Sequence, residues 1–217
     1  QSHTMFVSLR DPVKFYVIKL KNRDEVVRRV SATLYVEWVL GVNPMESGMF
    51  VITEKDSKTG ALLARNPYNE EFGQCIAFMD VNVPNATMTG DRAEFIGRNG
   101  SLKEPKALGR EGLSGHIGAG YDPCGALQVV VEIQPNEEKE IVFTMGQAEN
   151  IDEVRRLILN YRDANRAYKE LEKVKDYWKE KLSVIQVSTP DISMNLMLNN
   201  WLLYQTLSSR IMSRTGF

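Results

Sequence analysis

Residues 30–40, with the sequence VSATLYVEWVL, carry the pattern that decides the fold. Apolar side chains recur at every second position, so that one face of an extended segment would carry Ala32, Leu34, Val36, Trp38 and Leu40. The opposite face would carry Thr33, Tyr35, Glu37 and Val39. An antiparallel strand with one face toward a core and the other toward water shows this alternation. We therefore predict a half-buried antiparallel strand here.

Six further segments have the composition of strands. They are rich in β-branched and aromatic residues, are bounded by turn-forming residues, and cover 15–20, 49–53, 62–65, 74–81, 126–133 and 140–145. Many short strands without long intervening helices are typical of packed antiparallel sheets rather than of alternating strands and helices. We predict a mainly β chain with a β-sandwich domain over residues 6–148.

Residues 90–122 interrupt this pattern. The stretch holds eight of the 15 glycines of the chain and few consecutive apolar residues. A loop of this length without regular structure is uncommon in a compact domain and is often functional. Six isolated apolar residues would attach it to the core, namely Phe95, Ile96, Leu102, Leu108, Leu113 and Ile117. An ordinary surface loop is the alternative interpretation.

The composition changes after residue 148. Sixteen of the 30 residues from 152 to 181 are charged, and apolar residues recur among them at steps of three and four. This pattern predicts one long or two shorter amphipathic helices, which we interpret as a helical linker over residues 149–188. The charges themselves are typical of a solvated helix face.

The last segment, residues 189–217, predicts a different kind of helix. Thr189 would be its N-cap, Pro190 its first residue and Asp191 an acid near the positive helix end. The apolar residues from Ile192 to Met212 then surround the helix axis, so this helix requires burial on all sides. We expect it to be covered by the sandwich, by dimerisation or by domain exchange. We also expect the chain to be a piece of a longer protein that continues into a second, helical domain.

The overall composition narrows the possible partners. Lys and Arg number 27 and Asp and Glu number 28, which gives a formal net charge of −1. Because nucleic acids and anionic lipids are bound by clustered cations, we expect neither as a partner. The sequence shows no apolar run near the roughly 20 residues of a membrane helix and no signal peptide, so we expect a cytoplasmic protein. Residues 1–5, QSHTM, resemble an expression-tag remnant and are left out of the predicted fold.

The remaining residue types favour no enzyme class by themselves. Cys75 and Cys124 have no spacing typical of a metal site, and we interpret them as buried, reduced thiols. His116 is a weak candidate for a catalytic base because no partner lies near it in the sequence. Trp38 could stack on a sugar ring, but its place on the apolar face of the predicted strand favours core packing.

One short charged segment is a candidate binding site. Arg92, Glu94 and Arg98 follow Asp91 within eight residues and could bind a sugar or an anion, because guanidinium groups match phosphate and hydroxyl groups. Ion pairing at the surface around a turn at residues 99–100 is an equally plain explanation of the same spacing. The residues alone therefore indicate a β-sandwich with a helical appendage and an unknown ligand.

Four longer strings resemble a known family. They are EWVLG at 37–41, GDRAEFIGRNG at 90–100, GAGYDPC at 118–124 and LMLNNWLLYQT at 196–206. In this order they resemble glycoside hydrolase family 94, which includes cellobiose and chitobiose phosphorylases and the phosphorylase-like region of cyclic β-1,2-glucan synthetase. The glucan-synthetase branch is the most similar. The resemblance implies a galactose-mutarotase-like β-sandwich, a helical linker, and residues 189–217 as the first helix of a truncated α/α six-hairpin barrel.

The resemblance also implies that catalysis and sugar binding involve different parts of the enzyme. In the family, an Asp of the barrel protonates the glycosidic oxygen while inorganic phosphate attacks the anomeric carbon with inversion, and this Asp would lie beyond Phe217. The chain itself would then hold no catalytic residue and need no cofactor. Arg98, Arg92 and Glu94 would contact a β-glucan oligosaccharide at the mouth of the barrel, in the same chain or in the partner subunit of a homodimer.

Two alternatives come from other functional classes. A carbohydrate-binding or protein-interaction module that acts without an enzyme partner is the first, although an apolar terminal helix is unexpected in such a module. A mutarotase-like epimerase is the second, suggested only by the sandwich, and fold analogy is weak evidence for function. That activity requires a His and an acid on strands, which His116 alone does not supply.

Overall fold

The computed structural model describes residues 1–213, in which nine strands form two antiparallel sheets. The strands are β1 (Ser2–Val7), β2 (Val13–Lys21), β3 (Arg28–Glu37), β4 (Ile52–Lys55), β5 (Leu62–Arg65), β6 (Ile76–Val81), β7 (Thr87–Asp91), β8 (Pro123–Ile133) and β9 (Glu138–Ala148). The helices are α1 (Pro44–Ser47), α2 (Arg92–Ile96), α3 (Ile151–Tyr161), α4 (Ala164–Leu182), α5 (Ile192–Leu196) and α6 (Leu202–Thr206). This arrangement confirms the prediction of a mainly β fold followed by helices. The chain divides into two compact units, residues 1–168 and 169–217.

The larger sheet has six strands in the order β1-β2-β9-β6-β5-β4. Its longest pairing joins β2 to β9, from Val13 opposite Gly146 to Lys21 opposite Glu138. The edge strand β1 pairs with β2 and includes residues 2–5, which were predicted to lie outside the fold. These residues therefore add to the sheet, and the next one, Phe6, is buried.

The smaller sheet has three strands in the order β3-β8-β7 and packs its inner face against the larger one. The predicted inner face of residues 30–40 is confirmed, because all five of its members belong to the core between the sheets. Trp38 is only 7% exposed, which confirms core packing rather than a sugar platform. The predicted strand at 49–53 is wrong in its first half, since Gly48–Phe50 is a 3-10 turn that precedes β4.

The glycine-rich stretch 90–122 is more ordered than predicted. It begins in β7, continues into α2 and contains a 3-10 turn at Lys106–Gly109. A small second core attaches it to β8, and this core consists of Phe95, Ile96, Ala107, Leu113 and Ala126 with Tyr35 packed against it. Ile117 packs on the main core. Leu102 and Leu108, in contrast, are exposed and attach nothing.

The charged segment forms two helices, α3 and α4, as one of the two predicted arrangements required. Asn150 caps α3, because its side chain accepts a hydrogen bond from the Glu153 amide at 2.9 Å. The apolar side of α3 packs on β6 and β9 and buries Val154, Leu157, Ile158 and Tyr161. Two arginines on this helix and just after it, Arg155 and Arg162, bind buried carboxylates of the sandwich.

In the second unit, residues 192–211 are helical, with α5 and α6 each followed by a π-helical stretch. The N-cap is Asp191, whose side chain accepts from the Ser193 amide at 2.8 Å, and not Thr189 as predicted. Many large apolar side chains of this helix are exposed in the chain, including Ile192, Leu196, Trp201 and Ile211. Residues 214–217 of the predicted helix lie outside the described residues.

Across residues 1–213, none of the helices combines the length and hydropathy needed to cross a membrane.

Candidate functional site

The candidate site is built on α2, a helix of five residues at the end of β7. Asp91 caps it, since Oδ1 of its side chain accepts a hydrogen bond from the Ala93 amide at 3.0 Å. Gly97 ends it with a φ of 96°, a conformation that favours glycine. Phe95 and Ile96 are buried beneath the helix, and the Phe95 ring stacks on Tyr35 with 4.6 Å between ring centroids. The exposed side of α2 is thereby held on a fixed support.

Arg92 joins the ends of three strands. Its Nε donates to Glu37 Oε1 at 2.9 Å, and its Nη1 donates to Asp122 Oδ2 at 3.2 Å. Its backbone amide also donates to the Asp122 carbonyl at 2.8 Å. Glu37 accepts a further hydrogen bond from the Tyr35 hydroxyl at 2.9 Å. The hydrogen bond from Arg92 lowers the pKa of Glu37, although burial acts in the opposite direction.

Glu94 belongs to a separate group. Its Oε1 accepts from the guanidinium of Arg110, which lies in the loop after the 3-10 turn. Burial alone would raise the pKa of Glu94, but Arg110 and the hydroxyls of Thr89 and Ser114 lower it on balance. The side chain is 11% exposed, so Glu94 holds the loop against α2 and shows little of its carboxylate to solvent.

Arg98 differs from the other two predicted residues. It lies two residues after Ile96, the last residue of α2, is exposed, and makes no hydrogen bond or ion pair within residues 1–213. The structure thus places all three residues on one segment but does not bring them into one cluster. Arg92 and Glu94 are each engaged in ion pairs, with partners that lie outside the segment 91–100 and its turn at 99–100, whereas the guanidinium of Arg98 remains available for a ligand.

The partners of these residues were not predicted from the sequence. Glu37 and Asp122 lie 55 and 30 positions away from Arg92, and Arg110 lies 16 positions away from Glu94. The available signal was positional, because Glu37 is on the polar face of its strand and Asp122 directly precedes β8. Only the pairing of β3 and β7 with β8 shows that these positions meet.

The loop that follows is pinned to β4 and β7. The Gly90 amide donates to the His116 carbonyl at 2.6 Å, and Thr53 and Gly118 exchange two hydrogen bonds of 3.0 Å. The His116 ring stacks near Tyr121, and in the part of the chain described it makes no hydrogen bond with a carboxylate. This arrangement does not support a mutarotase-like His–acid pair.

The thiols and the acidic groups offer little further chemistry. Cys124 is buried, and burial raises the pKa of its thiol to about 12, so it is protonated at neutral pH. Cys75 is partly exposed, so the prediction of two buried thiols is correct for Cys124 only. Among residues 1–213, no group of three or more His, Cys, Asp or Glu side chains is placed to hold a metal ion. What the surface around α2 can do is donate hydrogen bonds from a free guanidinium beside fixed ion pairs.

Comparison with known proteins connects both units of the chain to one family. Residues 1–164 match the family model "Glycosyl hydrolase 94, supersandwich domain", and residues 177–217 match "Glycosyl hydrolase 94 superfamily, catalytic domain". Cyclic beta-(1,2)-glucan synthase NdvB of Rhizobium meliloti is 36% identical over 99% of the chain and 8% of its own length.

Two relatives with lower identity are phosphorylases by name. N,N'-diacetylchitobiose phosphorylase of Vibrio proteolyticus is 23% identical over 97% of the chain and 27% of its own length. 3-O-beta-D-glucopyranosyl-beta-D-glucuronide phosphorylase of Paenibacillus borealis is 26% identical over 68% of the chain and 20% of its own length. The chain thus spans between 8% and 27% of the length of these three relatives. It belongs to glycosyl hydrolase family 94, because the supersandwich model of that family matches residues 1–164, more than half of the chain.

Proposed function

We propose that this chain is the sandwich and linker portion of a β-glucan-active enzyme of the glycoside phosphorylase or cyclic β-1,2-glucan synthase type. In this proposal the chain binds the sugar and does not catalyse. The observation that carries it is the free guanidinium of Arg98 at the end of an anchored helix. A guanidinium with several unused donors suits the hydroxyl groups of an oligosaccharide.

The geometry around Arg98 supports a binding role. Arg92 pairs with Glu37 and Asp122, and Glu94 pairs with Arg110, so these ion pairs hold the surface in shape beside Arg98. Phe95 and Ile96 anchor the segment from below. A preorganised surface loses less entropy on binding than a flexible loop would, which favours a built contact over a chance one.

The chemistry itself would belong to the remainder of the catalytic domain. There, a phosphate oxygen would form a bond to the anomeric carbon as the glycosidic bond breaks, and a carboxylic acid would give its proton to the departing oxygen. The identity with the glucan synthase NdvB supports a β-1,2-linked substrate. The exposed apolar side chains between Ile192 and Met212 support the rest of that domain as the partner that covers them.

Binding of linear β-1,2-gluco-oligosaccharides to the chain, measured by calorimetry or NMR, tests the proposal. Arg98→Ala should weaken binding about tenfold or more, because hydrogen bonds from a charged group contribute roughly 1.5–3 kcal/mol. The matched control is Arg23→Ala. Arg23 is also exposed, and its neighbour Asn22 bonds the carbonyl of Ile133 at the opposite end of the smaller sheet from Glu37.

A second measurement tests the claim that the chain does not catalyse. Incubated with the same oligosaccharides and inorganic phosphate, it should release no glucose 1-phosphate. Turnover by the chain would refute that claim. Equal affinities of the Arg98→Ala and Arg23→Ala variants would refute the assigned binding surface.

A further inference from the structure

A cleft on the larger sheet has no part in the proposed function. It has a volume of about 760 Å³ and lies between the loop of residues 66–75 and the turns next to β2 and β9. We name it the Phe72 cleft, and its lining includes Pro12, Phe72, Gln74, Gln147 and Glu149. Ligand pockets have volumes of roughly 300–1,000 Å³, so the cleft is large enough for more than one sugar ring. None of its lining residues belongs to the segment 91–100.

The loop that walls the cleft is held by its own hydrogen bonds. The Asn66 side chain donates to the Leu40 carbonyl at 2.9 Å, which ties the loop to the segment after β3. Asn69 Oδ1 accepts from the amides of Glu71 and Phe72 at 3.1 and 2.7 Å. The cleft is therefore formed before any ligand binds.

One glycine of the lining allows the loop to turn tightly at the wall of the cleft. A Cβ atom on Gly73 would lie 2.5 Å from the Asn69 carbonyl oxygen, so no larger residue fits this turn without a shift. The shape of this wall thus depends on Gly73.

The lining groups match a sugar. Phe72 lines the cleft and is 43% exposed, so its ring offers an apolar surface to a ligand. The side chains of Gln74 and Gln147 make no hydrogen bond within residues 1–213, so each amide has donors and an acceptor available. An apolar ring beside bifunctional amides suits a hexose, whose faces are apolar and whose edge carries hydroxyl groups.

Charge excludes several other ligands. Glu70, Glu71 and Glu149 line the same cleft, and no Lys or Arg is among its lining residues. Phosphate or another anion would be repelled there, whereas carboxylates accept hydrogen bonds from hydroxyl groups. The acids alone would also suit a cationic peptide, but the exposed ring and the two amides favour an uncharged ligand.

We infer that the Phe72 cleft binds a neutral gluco-oligosaccharide, as a second saccharide site on the sandwich. The choice of glucose units rests on the proposed function, while the cleft itself rests on Phe72, Gln74 and Gln147. In this role the cleft would hold a stretch of the glucan chain that does not touch Arg98.

The test is the pattern of amide shifts in ¹⁵N NMR spectra of the chain on titration with a linear β-1,2-gluco-oligosaccharide. Residues 69–75 and 146–149 should shift on binding. Phe72→Ala should weaken that binding about 2- to 12-fold, the range expected for one aromatic contact. Tyr68→Ala is the matched control, because Tyr68 is an exposed aromatic residue of the same loop, 74% exposed, that does not line the cleft.

The two saccharide sites are distinguished by which backbone amides shift on titration. Shifts at 91–100 alone would overturn the cleft and keep the Arg98 surface, whereas shifts at 69–75 and 146–149 alone would do the opposite. Equal losses in the Phe72→Ala and Tyr68→Ala variants would also overturn the cleft. So would a hexalysine peptide that shifts these amides when the oligosaccharide does not.

Discussion

Replacing Arg155 by alanine should destabilise the sandwich far more than the same change at its neighbour Arg156. The Arg155 guanidinium donates to Asp56 from Nε at 3.1 Å and from Nη2 at 2.6 Å. The Asp56 side chain is 2% exposed and also accepts from the amide and hydroxyl of Thr59 at 2.8 and 2.7 Å. This ion pair fastens α3 to the turn between β4 and β5.

The expected size follows from burial. Removal of one partner of a buried ion pair costs about 3–5 kcal/mol, because the remaining charge is left without compensation. The two hydrogen bonds from Thr59 remain and the Arg155 side chain is 20% exposed, so we expect a loss of about 3 kcal/mol. Arg156 is 52% exposed, pairs with the partly exposed Glu153 and lies 3.5 Å from Asp11, so Arg156→Ala should cost no more than about 1 kcal/mol.

The assay is urea unfolding of the full chain followed by tryptophan fluorescence. The chain has three tryptophans, and the changes Trp178→Phe and Trp201→Phe leave Trp38 in the sandwich core as the reporter. The midpoint for Arg155→Ala should fall well below that for Arg156→Ala in this background. Equal midpoints would show that the buried pair does not hold α3 in place.

The dependence on pH adds a second criterion. The hydrogen bond from Arg155, opposed by burial and assisted by Thr59, lowers the pKa of Asp56 below its ordinary value of 3.8. A carboxyl group with a lowered pKa stabilises the folded chain at pH values above the pKa that the group has in the unfolded chain. That stabilisation is lost as the pH falls toward the pKa in the folded chain. The difference in the free energy of unfolding between the native chain and the Arg155→Ala variant should therefore shrink below about pH 4. A difference that persists unchanged at lower pH would contradict the electrostatic explanation.

Two further changes test the packing of the sandwich. Burial raises the pKa of Asp80, and the bidentate hydrogen bonds from Arg162 oppose that rise. In Arg162→Ala the pKa of Asp80 should rise further, so the variant should lose stability relative to the native chain as the pH increases above about 4, measured as urea midpoints between pH 4 and 7. A constant difference between the urea midpoints of the two chains over this pH range would contradict the predicted rise in the pKa of Asp80. Gly90→Ala should lower the free energy of unfolding by about 1–3 kcal/mol, because the added Cβ would lie 3.0 Å from the Thr53 Cβ. Gly109→Ala is the control: its added Cβ would meet nothing within 4 Å, so the change should be near neutral in the same assay.

Sequence patterns predicted those elements whose signal is local. The alternation in residues 30–40 assigned every inner residue of β3 and its extension, because a strand repeats every two residues regardless of its neighbours. The steps of three and four after residue 150 identified α3 and α4 in the same way. The strand β7 was missed because its sequence, TMTGD, has one large apolar residue, and its burial depends on the close approach of Thr53 to Gly90.

The candidate site was only partly predictable. Its segment could be located from sequence, since Arg92, Glu94 and Arg98 stand within a few residues of each other. The sequence could not show which of the three side chains is free of ion pairs, because the partners of Arg92 and Glu94 come from β3 and from loops distant in sequence.

By itself, the sequence determined the class of the segments with a regular pattern and the family to which the chain belongs. Only the tertiary structure decided which charges neutralise one another, that residues 2–5 complete an edge strand, and where clefts open between loops. The physical reason is that periodicity is a property of neighbouring residues, whereas an ion pair or a cleft depends on distances set by the pairing of strands far apart in the chain.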